Sequence, residues 1–375
     1  MTGIDCAAPA VPRSGPRPRA REFGVVTGLM EPGPLNAITD VPGVKVGHVS
    51  LVQGDGRLVP GEGPVRTGVT AILPHDGNVF KEKVRGAIHV INGFGKATGI
   101  AQVQELGVIE TPVVLTNTLS VGAAWDALCS YMLSQNPEIG VSTGTVNPVV
   151  AECNDGFLND IRGRHVKAEH VLSALETAAG GPVQEGNAGA GTGMCCLGFK
   201  GGIGTSSRRL GGTLAQRYLG VLVLANFGRA EDLLIAGVPV GVRLQEARRD
   251  PPAPPGSIVT VLATDAPLSD RQIARVARRC QGGLARVGSV FSNGSGDFAI
   301  AFTTPLCPEA AGEPFVSDDS AEMGLLFRAA VEATEEAVLN ALFAAETMAG
   351  RDGHVRRGLP LDEVAEVLRE HRALR

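Results

Sequence analysis

Residues 251–264 read Pro-Pro-Ala-Pro-Pro-Gly-Ser-Ile-Val-Thr-Val-Leu-Ala-Thr, and at the step from Gly256 to Ser257 this chain could do chemistry on itself. The five residues from Pro251 to Pro255, four of them proline, cannot supply a continuous set of ladder donors and favour an extended, solvated backbone. Gly256 adds backbone angles closed to other residues. A serine hydroxyl at such a junction can attack the preceding carbonyl, shift the acyl group from nitrogen to oxygen, and leave water to release a new amino terminus. The freed α-amine, with a reference pKa of ~7.7 to 8.0, is then a general base attached to the nucleophile it serves. The same residues also fit a plain Pro-rich connection between two elements, so the choice rests on the rest of the chain.

Other chemical signatures are weaker. Gly189-Ala-Gly191-Thr-Gly193 has its third glycine misplaced for a dinucleotide loop, and a second glycine-rich stretch, Gly201-Gly-Ile-Gly204, makes two turns flanking a strand the simpler reading. Gly93-Phe-Gly-Lys96-Ala lacks the hydroxyl residue that a phosphate loop places after its lysine. The seven histidines never take a metal-ligand spacing, and His75-Asp76 sits in a Pro-His-Asp-Gly turn sequence. Gly140-Val-Ser142-Thr-Gly144 fits a nucleophile elbow in letters only. A polar stretch precedes it where a strand is needed, and Val146–Val150 follows it where a helix is needed.

Composition narrows the classes. The net charge is −5 over 375 residues, without a Lys/Arg-rich run, which argues against a nucleic-acid partner. Seven cysteines, an odd number without a Cys-x-x-Cys pair, suit reduced thiols in the cytoplasm better than a disulfide framework or a zinc site. No run reaches membrane-spanning length, and residues 1–22, with arginines and four prolines, read as a mobile tail ahead of a single domain over 23–375.

The elements that must position Ser257 are legible as Val/Ile-rich runs near Val44–Val49, Val69–Leu73, Ile88–Ile91, Val113–Leu115, Val146–Val150, Leu219–Asn226, Ile258–Ala263 and Phe298–Phe302. Helical periods lie between them. One follows Ser120 through Met132, and another holds Val171, Leu172 and Leu175. Ser269-Asp-Arg-Gln272 is a capping box opening a helix with Ile273, Val276, Ala277 and Cys280 on one face. The longest helix spans about 321–345, and a last one carries Leu361, Val364 and Leu368. Many strands with helices in no strict βαβ rhythm imply an α+β fold of sheets covered by helices.

Six segments in register, Thr116–Gly122, Asn147–Asn154, Gly189–Ser207, Val221–Gly228, Pro255–Val259 and Ser295–Asp297, resemble the L-aminopeptidase/D-amidase/D-esterase family called DmpA, which includes the β-peptidyl aminopeptidases. The similarity extends from about Gly33 to Ala345. It implies an αββα sandwich of the type shared with ornithine acetyltransferases. It also implies a precursor cut at Gly256–Ser257 into 1–256 and 257–375, and homo-oligomers of the resulting α/β heterodimers. Carried onto this sequence, Ser257 becomes the N-terminal nucleophile and Asn226 the oxyanion donor. Ser295 and Asp297 become the hydroxyl and acid around the nucleophile and its amine, with turn chemistry the competing reading of Ser292–Asp297. Glu152 becomes the carboxylate that receives the free amino group of a small peptide, amide or ester substrate. Asn154 stands where characterised members often carry a tyrosine near the oxyanion or amine site, which leaves substrate preference open. No metal or organic cofactor enters this chemistry. The alternatives are an acyltransferase like the ornithine acetyltransferases, which usually use threonine, or an uncut binding protein of the same fold.

Overall fold

Strict alternation along the apolar strands sorts the core into three layers. The computed structural model describes residues 17–244, 256–304 and 314–374. Its principal strands are β1 (Lys45–Gln53), β2 (Val65–Leu73), β3 (Val84–Gly93), β4 (Val108–Ile109), β5 (Val113–Asn117), β6 (Val149–Cys153), β7 (Cys195–Cys196), β8 (Phe199–Lys200), β9 (Gly202–Arg209), β10 (Tyr218–Asn226), β11 (Ser257–Thr264) and β12 (Gly296–Thr303). The helices are α1 (Ile100–Leu106), α2 (Val121–Gln135), α3 (Ala168–Glu176), α4 (Asp270–Ala277), α5 (Cys280–Arg286), α6 (Ala321–Ala344) and α7 (Leu361–Glu370).

One sheet has the order β1-β2-β5-β6 and the other β4-β3-β12-β11-β10-β9. Each contains one parallel pair, β5–β6 and β11–β12, among antiparallel neighbours. Leu222, Leu224, Val259, Val261, Phe298 and Ile300 face Ile72, Leu115, Val149 and Ala151 between the sheets. The alternate residues Val221, Val223, Leu262, Ala299 and Ala301 pack outward on α4, α5 and α6. Val69, Ala71, Val114 and Val150 pack outward on α2 and α3. A period of two on strands buried on both faces therefore generates helix–sheet–sheet–helix layering, the expected α+β sandwich.

Three local expectations give way. Gly201–Gly204 is not a turn but leads into β9, because bare backbone is needed there: a Cβ on Gly204 would lie 2.0 Å from the Ala337 carbonyl of α6. The helix after Ser269 has its capping box but breaks beyond Ala277, and Cys280 belongs to α5. There Gly283 nests on α6, its missing Cβ leaving room for the Val331 carbonyl 2.5 Å away. The sixth strand starts at Val149 and not at Val146.

Residues 17–22, expected to belong to a mobile tail, instead pack on α6. Ala20 is fully buried with its amide donating to Asn340 Oδ1 at 3.0 Å, and Arg17 Nε donates to the Phe343 carbonyl at 2.8 Å. Residues 1–16 and the Pro251–Pro255 spacer lie outside the described residues.

Candidate active site

Four strand ends meet at one place because β11 and β12 run parallel while their outer neighbours β10 and β3 run against them. The parallel pair starts where the two antiparallel strands finish. Ser257 opens β11, Ser295 and Gly296 lead into β12, Asn226 closes β10 and Gly93 closes β3. Asn226 stands directly across the ladder from Ser257, and Asp297 stands across from Ile258. The parity that sends Val259 and Val261 between the sheets sends Ser257 the same way.

Ser257 is 8% exposed, and its Oγ accepts a hydrogen bond from the Gly296 amide at 3.0 Å. Both flanking glycines are required sterically. A Cβ on Gly256 would sit 1.7 Å from the Asn226 carbonyl, and one on Gly296 would sit 2.3 Å from the Gly95 Cα.

Asn226 has its amide orientation fixed from two sides. Its Oδ1 accepts from the Cys195 amide at 2.8 Å, and its Nδ2 donates to the Asn154 carbonyl at 3.0 Å. A side-chain amide carries two N–H donors, so one is committed to Asn154 and the second remains available.

Ser295 Oγ lies 2.6 Å from Asp297 Oδ2 and 2.7 Å from the Ser292 carbonyl. A hydroxyl has one hydrogen to give. If Ser292 takes it, a proton on Asp297 completes the second contact, in keeping with burial that raises this carboxyl's pKa against the lowering effect of the Ser295 hydroxyl and the Ile258 amide. Asn92 Nδ2 donates to the Ser295 carbonyl at 2.6 Å and holds the turn to β3. Turn and site are thus the same residues, since the Ser295 amide also donates to the Ser292 carbonyl.

Glu152 lies on β6 of the neighbouring sheet, and Asn154 just past its end. Glu152 is 2% exposed; its Oε1 accepts from the Lys96 amide at 2.8 Å and its Oε2 from the Thr118 hydroxyl. Each carboxylate oxygen has capacity for a further donor. Its link to Ser257 runs through the segment after β3, where the Phe94 amide donates to the Ser295 carbonyl at 3.3 Å. Alternation instead turns Cys153 toward β11, its Sγ 3.3 Å from the Ser257 carbonyl, and burial pushes that thiol well above its ordinary pKa. The Asn154 side chain is exposed and accepts from the Gly156 amide at 2.9 Å. Its carbonyl accepts from Asn226 Nδ2.

A cleft of about 440 Å³ opens beside this cluster, lined by Gly256, Ser295 and Asp297 with Phe227, Arg229 and Phe291. What sequence reasoning missed acts through backbone: the Cys195 amide, the Gly296 amide and, at the already named Asn154, the carbonyl. Main-chain groups carry no side-chain signature, and only the glycines around them hinted at close approach. The discounted motifs stay discounted: Ser142 is exposed in a turn, and the Gly77 amide donates to His75 Nδ1 within another.

A family model described as Peptidase family S58 matches residues 36–356. The β-peptidyl aminopeptidase BapA of Sphingosinicella microcystinivorans is 43% identical, over 95% of this chain and 93% of its own. Among solved structures, the PH0078 protein of Pyrococcus horikoshii OT3 has a TM-score of 0.88 at 52% identity, over 94% of this chain and 99% of its own. The L-aminopeptidase D-Ala-esterase/amidase of Ochrobactrum anthropi has a TM-score of 0.85 at 39% identity, over 96% of this chain and all of its own. It is described as a prototype for the serine aminopeptidases and a variant of the Ntn hydrolase fold.

Proposed function

Because the chain belongs to peptidase family S58, we propose that it is an aminopeptidase that matures by cutting its own Gly256–Ser257 bond and then uses Ser257 as an N-terminal nucleophile. In the precursor, Ser257 Oγ attacks the Gly256 carbonyl carbon. The carbon–nitrogen bond becomes an ester bond to Oγ, and the hydroxyl proton passes to the nitrogen. Water hydrolyses the ester, leaving a carboxylate on Gly256 and a free amine on Ser257.

In the mature enzyme that amine accepts the Oγ proton as Oγ attacks the carbonyl of a substrate's first residue, then returns it to the leaving amine or alcohol. The unspent Asn226 N–H stabilises the oxyanion. Ser295 and Asp297 hold the nucleophile and amine in place, and Glu152 pairs with the substrate's ammonium, favouring chains with a free amino end. Water then frees the acyl-enzyme.

The observation that carries this reading is the location of Ser257 at the head of β11, directly across from Asn226 and behind a glycine for which no larger residue has room. The acyltransferase and uncut-binder alternatives have no comparable support. Substrates in this reading are small peptides, amides and esters, without a nucleic-acid or membrane partner. The thiol count favours a reducing compartment such as the cytoplasm, and the family resemblance extends the reading to homo-oligomers of cleaved heterodimers.

Denaturing mass spectrometry tests it. The active protein gives two chains, residues 1–256 and 257–375, while Ser257→Ala stays whole and hydrolyses no aminoacyl p-nitroanilide. A wild-type chain that is active while intact across Gly256–Ser257 refutes the proposal.

A further inference from the structure

Paired across a hairpin with Cys195, whose amide holds Asn226, is a buried cation to which the mechanism above gives no work. Lys200 closes the hairpin of β7 and β8, in which Cys195 pairs with Lys200 and Cys196 with Phe199. The turn between them holds Leu197 and Gly198 at φ 46° and 78°, the paired positive angles of a two-residue hairpin. A left-handed leucine is a strained choice, and it persists only where the surroundings over-determine it.

Lys200 is fully buried, and among the described residues no carboxylate pairs with it. Its Nζ donates instead to the Gly191 and Gly201 carbonyls, both at 2.9 Å. Burial lowers its pKa to about 8. Enclosing an ammonium without a counter-charge is unfavourable, and packing alone would be served as well by a methionine.

The two carbonyls tied by Nζ bracket the segment 192–200 and draw its ends together. From inside that closed loop the Cys195 amide donates to Asn226 Oδ1 at 2.8 Å, and the Leu197 amide donates to the Phe227 carbonyl at 2.6 Å. The Gly201 amide closes the base on the Met194 carbonyl at 3.0 Å. The loop thus grips two consecutive residues at the end of β10 through its own main chain.

We propose that Lys200 is a positioning residue for the aminopeptidase reaction: by tying Gly191 to Gly201 it holds the Cys195 amide on Asn226 Oδ1 and keeps Asn226 Nδ2 turned toward the oxyanion. This rests on the reading of Asn226 as oxyanion donor. Without the tie the amide loses the donor that fixes its orientation, and a displacement of about 1 Å at such a site costs roughly 100-fold in rate.

A double-mutant cycle tests it on the full chain, comparing wild type, Lys200→Met, Asn226→Ala and the double variant. Two rates are read: appearance of two bands from the precursor, and hydrolysis of an aminoacyl p-nitroanilide after maturation. Lys200→Met is expected to lower kcat roughly 30- to 100-fold with KM within about threefold, and the double variant to be no slower than Asn226→Ala alone. Should Lys200→Met fail to fold, Lys200→Gln, too short to reach both carbonyls, takes its place in the same cycle. Multiplicative losses in the double variant, or an unchanged kcat, overturn the positioning role. An Asn226→Ala enzyme of full activity instead overturns the oxyanion assignment on which it stands.

Discussion

The Asn226 amide is pinned by the Cys195 amide on one side and the Asn154 carbonyl on the other, so its donor is aimed before any substrate arrives. Pre-aimed donors of this kind are worth about 100- to 1000-fold in rate. Asn226→Ala should therefore lower kcat by that factor and leave KM nearly unchanged, which initial-rate kinetics on a p-nitroanilide will report. In the proposed mechanism Glu152 acts on binding instead. Removing a charge-assisted hydrogen bond costs roughly 10- to 100-fold, so Glu152→Ala should raise KM by that amount for free-amine substrates and erase discrimination against N-acetylated ones, with processing spared. Equal loss of processing and hydrolysis would make Glu152 a structural residue.

Gly256 contributes by what it lacks. Gly256→Ala places a methyl group where the Asn226 carbonyl already lies, so maturation should slow on a time-course gel. At this scale Ser257, Asn226, Ser295 and Asp297 were legible because their side chains form part of motifs in register. The contact of the Asn154 carbonyl was not, because main-chain groups carry no side-chain signature, and Lys200 was hidden inside an apolar, glycine-rich run.

Strand alternation made the principal elements readable, and close approach made the errors. Nothing local distinguishes Gly204 in a turn from Gly204 beneath α6; the difference is the Ala337 carbonyl, more than a hundred residues away in the chain. Filling that space in Gly204→Val should cost about 1 to 3 kcal/mol as overpacking, measured by urea unfolding. The same helix is buried on nearly every side, and its Glu336 meets Arg208 Nη2 at 2.8 Å and Arg21 Nε at 2.7 Å with all three groups well covered. Leaving such guanidinium groups without their carboxylate costs about 3 to 5 kcal/mol, so Glu336→Gln should unfold well before the wild type.

The segment after β6 adds a pH dependence. Burial, opposed by the Thr67 and Asn159 hydrogen bonds, raises the Asp155 carboxyl to about 7. The folded chain keeps this proton where the unfolded chain has already released it. The contribution of this group to stability is thus whole in acid and lost as pH climbs toward 7. Urea midpoints should fall from pH 5 to pH 8, and Asp155→Asn should flatten that decline; an unchanged slope would remove Asp155 from the account.

Across the whole molecule, the proposed cut separates neighbours that remain laced together. β11 and β12 lie downstream of Gly256–Ser257, yet they are inserted between β3 and β10, both upstream, in one continuous sheet. Cleavage removes one peptide bond and leaves those ladders and the intersheet core intact. Size-exclusion chromatography of matured protein should accordingly give one peak containing both chains, which part only in denaturant. The layered architecture was readable from the strand pattern and the resemblance, whereas the anchoring of Arg17 and Ala20 on α6 was not, since a Pro/Arg-rich opening looks solvated until a distant helix offers Asn340.

That interleaving gives the proposed maturation a direction in time. β11 and β12 must be made and the sheet must zip before any nick is tolerable, because a chain severed early would offer an upstream piece with a gap through the middle of its sheet and a downstream piece with bare edges on both sides. Once denatured, the nicked enzyme has lost the tether that made its first assembly a one-molecule event. It should regain activity with a yield that depends on concentration, whereas the unnicked Ser257→Ala precursor refolds independently of it.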